Sequence, residues 1–247
     1  MRTLLLILLL CTCVRATLSA QATDCTSTTE VEALALKAYL NNSPEAWQTA
    51  LAAAEALPAS TDHHVLAAKI LFGATGTAFS LEDEDALDEL LDAMEVHLDA
   101  ALEADKNHPE ASALYSGYLG MIISQSPMKG MFYGRKASKL ADKATGNAPD
   151  SPLTHYFRGS NLYYTPATWG GDYDLAVEHL LRAKENYGAA DGCNWFYLQT
   201  CALLGQAQLA AGDKAAARQT YLASLQAQPD FEYVKRILLP KLEGTGK

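Results

Sequence analysis

Residues 201–229 read CALLGQAQLAAGDKAAARQTYLASLQAQP, and this stretch decides the fold. Cys201, Leu204 and Gly205 are spaced three and four apart, so they share one side of a helix. Gly212-Asp213 supplies a turn. A second helix then carries Ala217, Tyr221 and Ser224 on a single face. Gly205 and Ala217 have little or no side chain where two antiparallel helices must approach. Tyr221 fills the space one turn later. Pro229 ends the unit, because its ring cannot continue a helix.

The second-helix half of this pattern recurs upstream. Ala46, Ala50, Ala53 and Pro58 repeat its spacing, as do Ala137, Ala141, Ala144 and Pro149. Ala176, Leu180 and Ala183 match without the proline. Met94, Leu98 and Ala101 form a weaker copy whose proline is delayed to Pro109. No run alternates apolar and polar residues between turn signals, so no strand is expected. The copies predict five helical hairpins at 28–58, 61–107, 109–148, 151–189 and 193–228. A helix near 230–241, with Asp230 as its N-cap, would close the end of the stack.

The unit at 201–229 resembles the tetratricopeptide repeat, in which a Leu-Gly pair, a Gly-Asp turn and a small-aromatic-small face recur in this order. The chain is similar to exported bacterial tetratricopeptide proteins. That resemblance implies an all-α fold, a right-handed α-α superhelix of about five hairpins with a C-terminal capping helix. It also implies that the first helix of each hairpin lines a concave groove. Three departures from the pattern mark expected insertions at Gly73–Ser80, Ser126–Gly134 and Thr165–Asp172. Insertions in solenoids fall on one face and often serve binding.

An independent signal lies at the start of the chain. Arg2 precedes an apolar run from Leu4 to Val14, and Ala20-Gln21-Ala22 has the form a signal peptidase accepts. The run is too short to span a bilayer. Residues 1–22 are therefore read as a signal peptide and 23–247 as one exported domain, periplasmic or secreted. The formal charge is −10. Losing Arg2 and Arg15 with the leader makes it −12, which disfavours nucleic acid, whose binding needs a basic surface. Cys25, Cys193 and Cys201 would remain, allowing at most one internal disulfide. Cys193 and Cys201 are too far apart along one helix to pair.

Of the 21 aromatic residues, 14 lie between Tyr115 and Tyr197, which locates the expected site in the third and fourth hairpins. If Gly117 and Gly159 are close-packing points like Gly205, Tyr118, Tyr156 and Tyr163 project into the groove. Arg135 is a nearby cation. In the Thr165–Asp172 insertion, Trp169 either covers helix ends or lines a pocket, and Asp172 can cap the next helix. The ligand-binding set is thus Tyr118, Arg135, Tyr156, Tyr163, Trp169 and Asp172. Eleven carboxylates between Glu82 and Asp105 read as a solvated face. The six histidines match no zinc motif, and no nucleophile motif or phosphate-binding loop occurs. No catalytic residue, metal or cofactor is expected. The function that fits is an exported scaffold holding a protein or peptide partner in its groove. The alternative is a periplasmic protein that binds a small amphipathic ligand as an auxiliary to a transporter.

Overall fold

The computed structural model describes residues 25, 28–188 and 191–244. The leader expected at 1–22 lies outside them. The described residues form eleven α-helices and no strand: α1 (Glu30–Asn41), α2 (Pro44–Glu55), α3 (Thr61–Ser80), α4 (Glu84–Ala104), α5 (Pro109–Gln125), α6 (Gly130–Asn147), α7 (Pro152–Tyr164), α8 (Tyr173–Asn186), α9 (Trp195–Ala210), α10 (Lys214–Ala227) and α11 (Leu239–Glu243). No helix among them is long and apolar enough to cross a membrane.

Helix starts follow capping chemistry. Ser43, Ser60, Asp83, Asp172 and Asp213 each accept a backbone N–H of the first turn through a side-chain oxygen. Successive helices pack in pairs, α1 on α2 through α9 on α10. The even-numbered helices bury one narrow stripe. In α8 that stripe is Ala176, Leu180 and Ala183, and in α6 it is Ala137, Ala141 and Ala144. The odd-numbered helices α3, α5, α7 and α9 are buried on most sides and supply the large residues of the core.

Glycine sets how closely these helices approach. A Cβ on Gly205 would run into the ring of Tyr221, so the 201–229 motif packs as its spacing predicts. On Gly159 a Cβ would meet Leu180 Cγ at 2.6 Å, again within the pair. Gly117 works differently, since Phe157 of the following pair occupies its missing side chain. At Gly73 the intruder is Trp47 of the preceding pair.

Four expectations change. In α2 the buried face is Trp47, Ala50 and Ala54 rather than Ala46, Ala50 and Ala53. The register shifts because the Trp47 indole lies over Gly73 and donates to Thr77 Oγ1 at 2.9 Å. The supposed insertion at Gly73–Ser80 is the last two turns of α3. At 126–134 only Pro127–Lys129 forms a separate 3₁₀ turn, and α6 begins at Gly130. After Asp230 the chain winds as a π-helical turn, Val234–Leu238, before α11, and Asp230 is not the N-cap of either.

The last pair also returns to the first. Helix α1 packs on α9, and Cys25 is disulfide-bonded to Cys193. Trp47 meets Trp195 edge-on with centroids 5.1 Å apart, and Lys69 pairs with Glu32 at 2.7 Å. Phe72 of α3 reaches across to Phe157 of α7 and Phe196 of α9, at 4.9 and 6.0 Å between centroids. The inner side of the odd-numbered helices is therefore filled at its middle by aromatic rings.

Candidate functional site

Beyond this aromatic plug, phenols converge. Tyr39 ends α1, Tyr156 lies in the second turn of α7, Tyr163 and Tyr164 end the same helix, and Tyr233 follows α10. Gln199 of α9 joins two of them: the Tyr39 hydroxyl donates to its Oε1 at 2.8 Å, and its Nε2 donates to the Tyr156 hydroxyl at 3.0 Å. The Tyr163 ring stands edge-on to Tyr164 at 4.8 Å and tilted to Tyr173 at 5.8 Å. Tyr39 lies 5.7 Å from both Trp195 and Phe231.

Electrostatics tie the cluster together. Burial, then the neighbouring Tyr156 and Tyr233, hold the Tyr39 phenol well above its ordinary range. Burial and the nearby Tyr164 raise Tyr156. Tyr164 is pushed up to about 12 by burial, with Tyr163 and Tyr233 adding to it. Yet Tyr164 exposes 69% of its surface. Its ring is therefore largely open to solvent. These phenols stay protonated at neutral pH, so they offer flat apolar faces and O–H donors.

The six residues singled out in the sequence separate into four places. Tyr156 and Tyr163 belong to the phenol cluster; Tyr156 is buried and shows only its hydroxyl to Gln199, while Tyr163 is half-buried. Tyr118 does not join them. It is buried beside Tyr115, with Glu95 and Asp92 of α4 nearby. Arg135 is exposed on α6. Trp169 is 65% exposed at the end of a 3₁₀ turn, so it covers no helix end. The Asp172 carboxylate accepts from Leu175 N at 3.0 Å and is spent on the cap of α8.

Sequence reasoning missed Tyr39, Tyr164, Gln199 and Tyr233. Tyr39 and Tyr233 sit at opposite ends of the sequence and meet α7 only because the chain closes on itself. No local spacing carries that information.

Other surfaces and clusters are present. Met128, Met131 and Phe132 are 76%, 70% and 76% exposed where α5 passes to α6. An apolar cleft of about 250 Å³ opens between α2, α3 and α4, lined by Leu51, Leu71, Ala78, Leu90 and Ala93 among others. His63 and His64 in the first turn of α3 meet His97 of α4, with one ring nitrogen of each within 4.8 Å of the others. A second pair, His155 and His179, approaches to 3.0 Å between Nδ1 atoms.

No protein-family model and no curated protein sequence matches the chain. Among solved structures four chains match. One is the HusA haemophore from Porphyromonas gingivalis, with 20% identity and a TM-score of 0.56, the match covering 75% of this chain and 96% of that chain. At this identity the likeness is one of fold, and the all-helical arrangement described above is what the two chains share.

Proposed function

We propose that this chain is an exported binding protein whose tyrosine-lined concavity takes a flat, largely apolar ring system of the porphyrin class. The observation that carries the reading is the clustering of Tyr39, Tyr156, Tyr163, Tyr164 and Tyr233, each within electrostatic reach of at least one other phenol of the group. Tyrosine combines a stacking face with a polar tip, which suits a planar ligand bearing polar substituents at its edge. Trp169, on the segment just after α7, and Tyr173, which opens α8, extend the aromatic surface outward. The fold likeness to a haemophore supports a small-molecule ligand over a peptide in the recess. The succession of helix pairs is read as a short right-handed superhelix of the tetratricopeptide kind, with its groove partly closed by the plug of Phe72, Phe157 and Phe196. Export is supported by the Cys25–Cys193 disulfide, since such bonds persist in oxidising compartments.

Protoporphyrin IX and haem, titrated into the purified chain and followed by Trp quenching and the Soret band, test the reading. Saturable 1:1 binding is expected. Tyr164→Ala should weaken it at least tenfold with helicity unchanged by circular dichroism, because the Tyr164 ring is largely exposed. Binding that survives Tyr164→Ala and Tyr233→Ala but is lost on filling the α2–α4 cleft with Ala93→Phe would move the ligand there instead.

A second reading rests on a separate surface. Met128, Met131 and Phe132 are the kind of flexible apolar group that partners cover. A protein partner, such as a transporter component to which the ligand is handed, would dock there. Met131→Asp should abolish that docking and leave porphyrin binding intact.

A further inference from the structure

We infer that His63, His64 and His97 form a binding site for a divalent transition-metal ion of the zinc class, separate from the tyrosine recess. One ring nitrogen from each lies within 4.8 Å of the other two. Between His64 and His97 the Nδ1 atoms are 3.1 Å apart. With Zn–N bonds of about 2.0–2.1 Å, two imidazole ligands on a tetrahedral ion have donor atoms about 3.3 Å apart. That edge is therefore already formed, and the third ligand needs at most about 1.5 Å of adjustment.

Two further observations point the same way. The Nδ1 atom of His63 is buried and has no hydrogen-bond partner, an arrangement that costs free energy unless something takes its lone pair or proton. The far nitrogen of His97, Nε2, lies 3.8 Å from a Glu55 carboxylate oxygen. A carboxylate there favours the proton on Nε2 electrostatically, which leaves the Nδ1 lone pair facing His64, and a small approach would give it the outer-partner role seen at zinc-bound histidines. His108 stands apart from the set. Its Nδ1 accepts from Ala111 N, and its Nε2 lies 3.6 Å from Asp62.

The donor set selects the ion. Three neutral imidazoles suit zinc, copper or nickel and are poor ligands for calcium or magnesium, which take oxygen. Three protein ligands leave a fourth position for water or an incoming group. The ion would join α3 to α4, with Glu55 bringing in the end of α2, and so brace the first two helix pairs.

The test uses the tag-free mature chain. Titration with Zn2+ by calorimetry should give one site per chain with a dissociation constant in the micromolar range or below. Co2+ substituted at the site should give the intense visible bands of tetrahedral coordination. Zn2+ should also raise the thermal midpoint. His64→Ala and His97→Gln should each weaken Zn2+ binding at least tenfold, with circular dichroism reporting intact helicity. His155→Ala, at the other histidine pair, should leave it unchanged. Absence of a one-site isotherm, or equal loss with His155→Ala, overturns the assignment and leaves a hydrogen-bonded imidazole pair.

Discussion

At the residue scale, single atoms decide how closely helices pack. Gly205 has the Tyr221 ring where its side chain would be. Gly205→Ala should cost about 1–3 kcal/mol, the usual penalty for overpacking a core. Urea unfolding measures it, and adding Tyr221→Leu should recover part of the loss. Histidine 179 gives a pH dependence. Its pKa is lowered from 6.5 to about 4 by burial, then by His155 and Arg158, with Arg182 adding a little and Glu178 opposing. His155 donates from Nε2 to the Pro149 carbonyl at 2.7 Å, so its Nδ1 accepts and His179 supplies the shared proton. Between the two pKa values the unfolded chain binds more protons than the folded one. The stabilisation is complete above about pH 6.5 and is lost as the pH falls toward 4. Thermal midpoints should drop across that window, and His179→Gln should flatten part of the drop. The helical period placed Tyr156 and Tyr163 on an inward face but could not say what would cover them. Tyr118 shows why: periodicity assigns a face to a residue, and only the neighbouring helix settles whether that face meets solvent, a ligand or another ring.

At the element scale, the segment joining α7 to α8 separates a residue the turn needs from one the turn does not. Gly171 N bonds the Pro166 carbonyl, and a Cβ on Gly171 would collide with the Thr165 carbonyl oxygen. Backbone cannot yield there as a flexible side chain would. Gly171→Ala should therefore distort the turn and lower the thermal midpoint by several degrees, whereas Trp169→Ala should barely change it, because that ring is 65% exposed. Differential scanning fluorimetry on the two variants compares them directly. The small-residue stripes of α4, α6, α8 and α10 were legible from spacing alone, since Met94, Leu98, Ala101, Ala137, Ala141, Ala144, Ala176, Leu180, Ala183, Ala217, Tyr221 and Ser224 are all buried. The stripe of α2 was misread by one position at each end because a tryptophan, not an alanine, fills the space left by Gly73.

At the scale of the whole molecule, closure is the new fact. The Cys25–Cys193 bond spans 168 residues and joins the first helix pair to the last. Loop-closure entropy gives such a bond about 5 kcal/mol of stabilisation. Replacing both cysteines with serine should lower the free energy of unfolding by a few kcal/mol and, on the proposed function, weaken porphyrin binding as well, since Tyr39 would lose its fixed place beside Gln199. Cys201→Ser probes burial instead: that thiol is buried, its pKa pushed up to about 11 by burial first. The sequence by itself determined the helices, their pairing and most of each buried stripe, because these follow from contacts three or four residues apart and from turn and cap residues between neighbours. Tertiary structure alone decided which cysteines pair, that Phe72 meets Phe157 and Phe196, that Tyr39 and Tyr233 join Tyr156 and Tyr164, and that His63 and His64 meet His97. Each of these is a contact between residues far apart in the sequence, set by how successive helices pack, which no local spacing records.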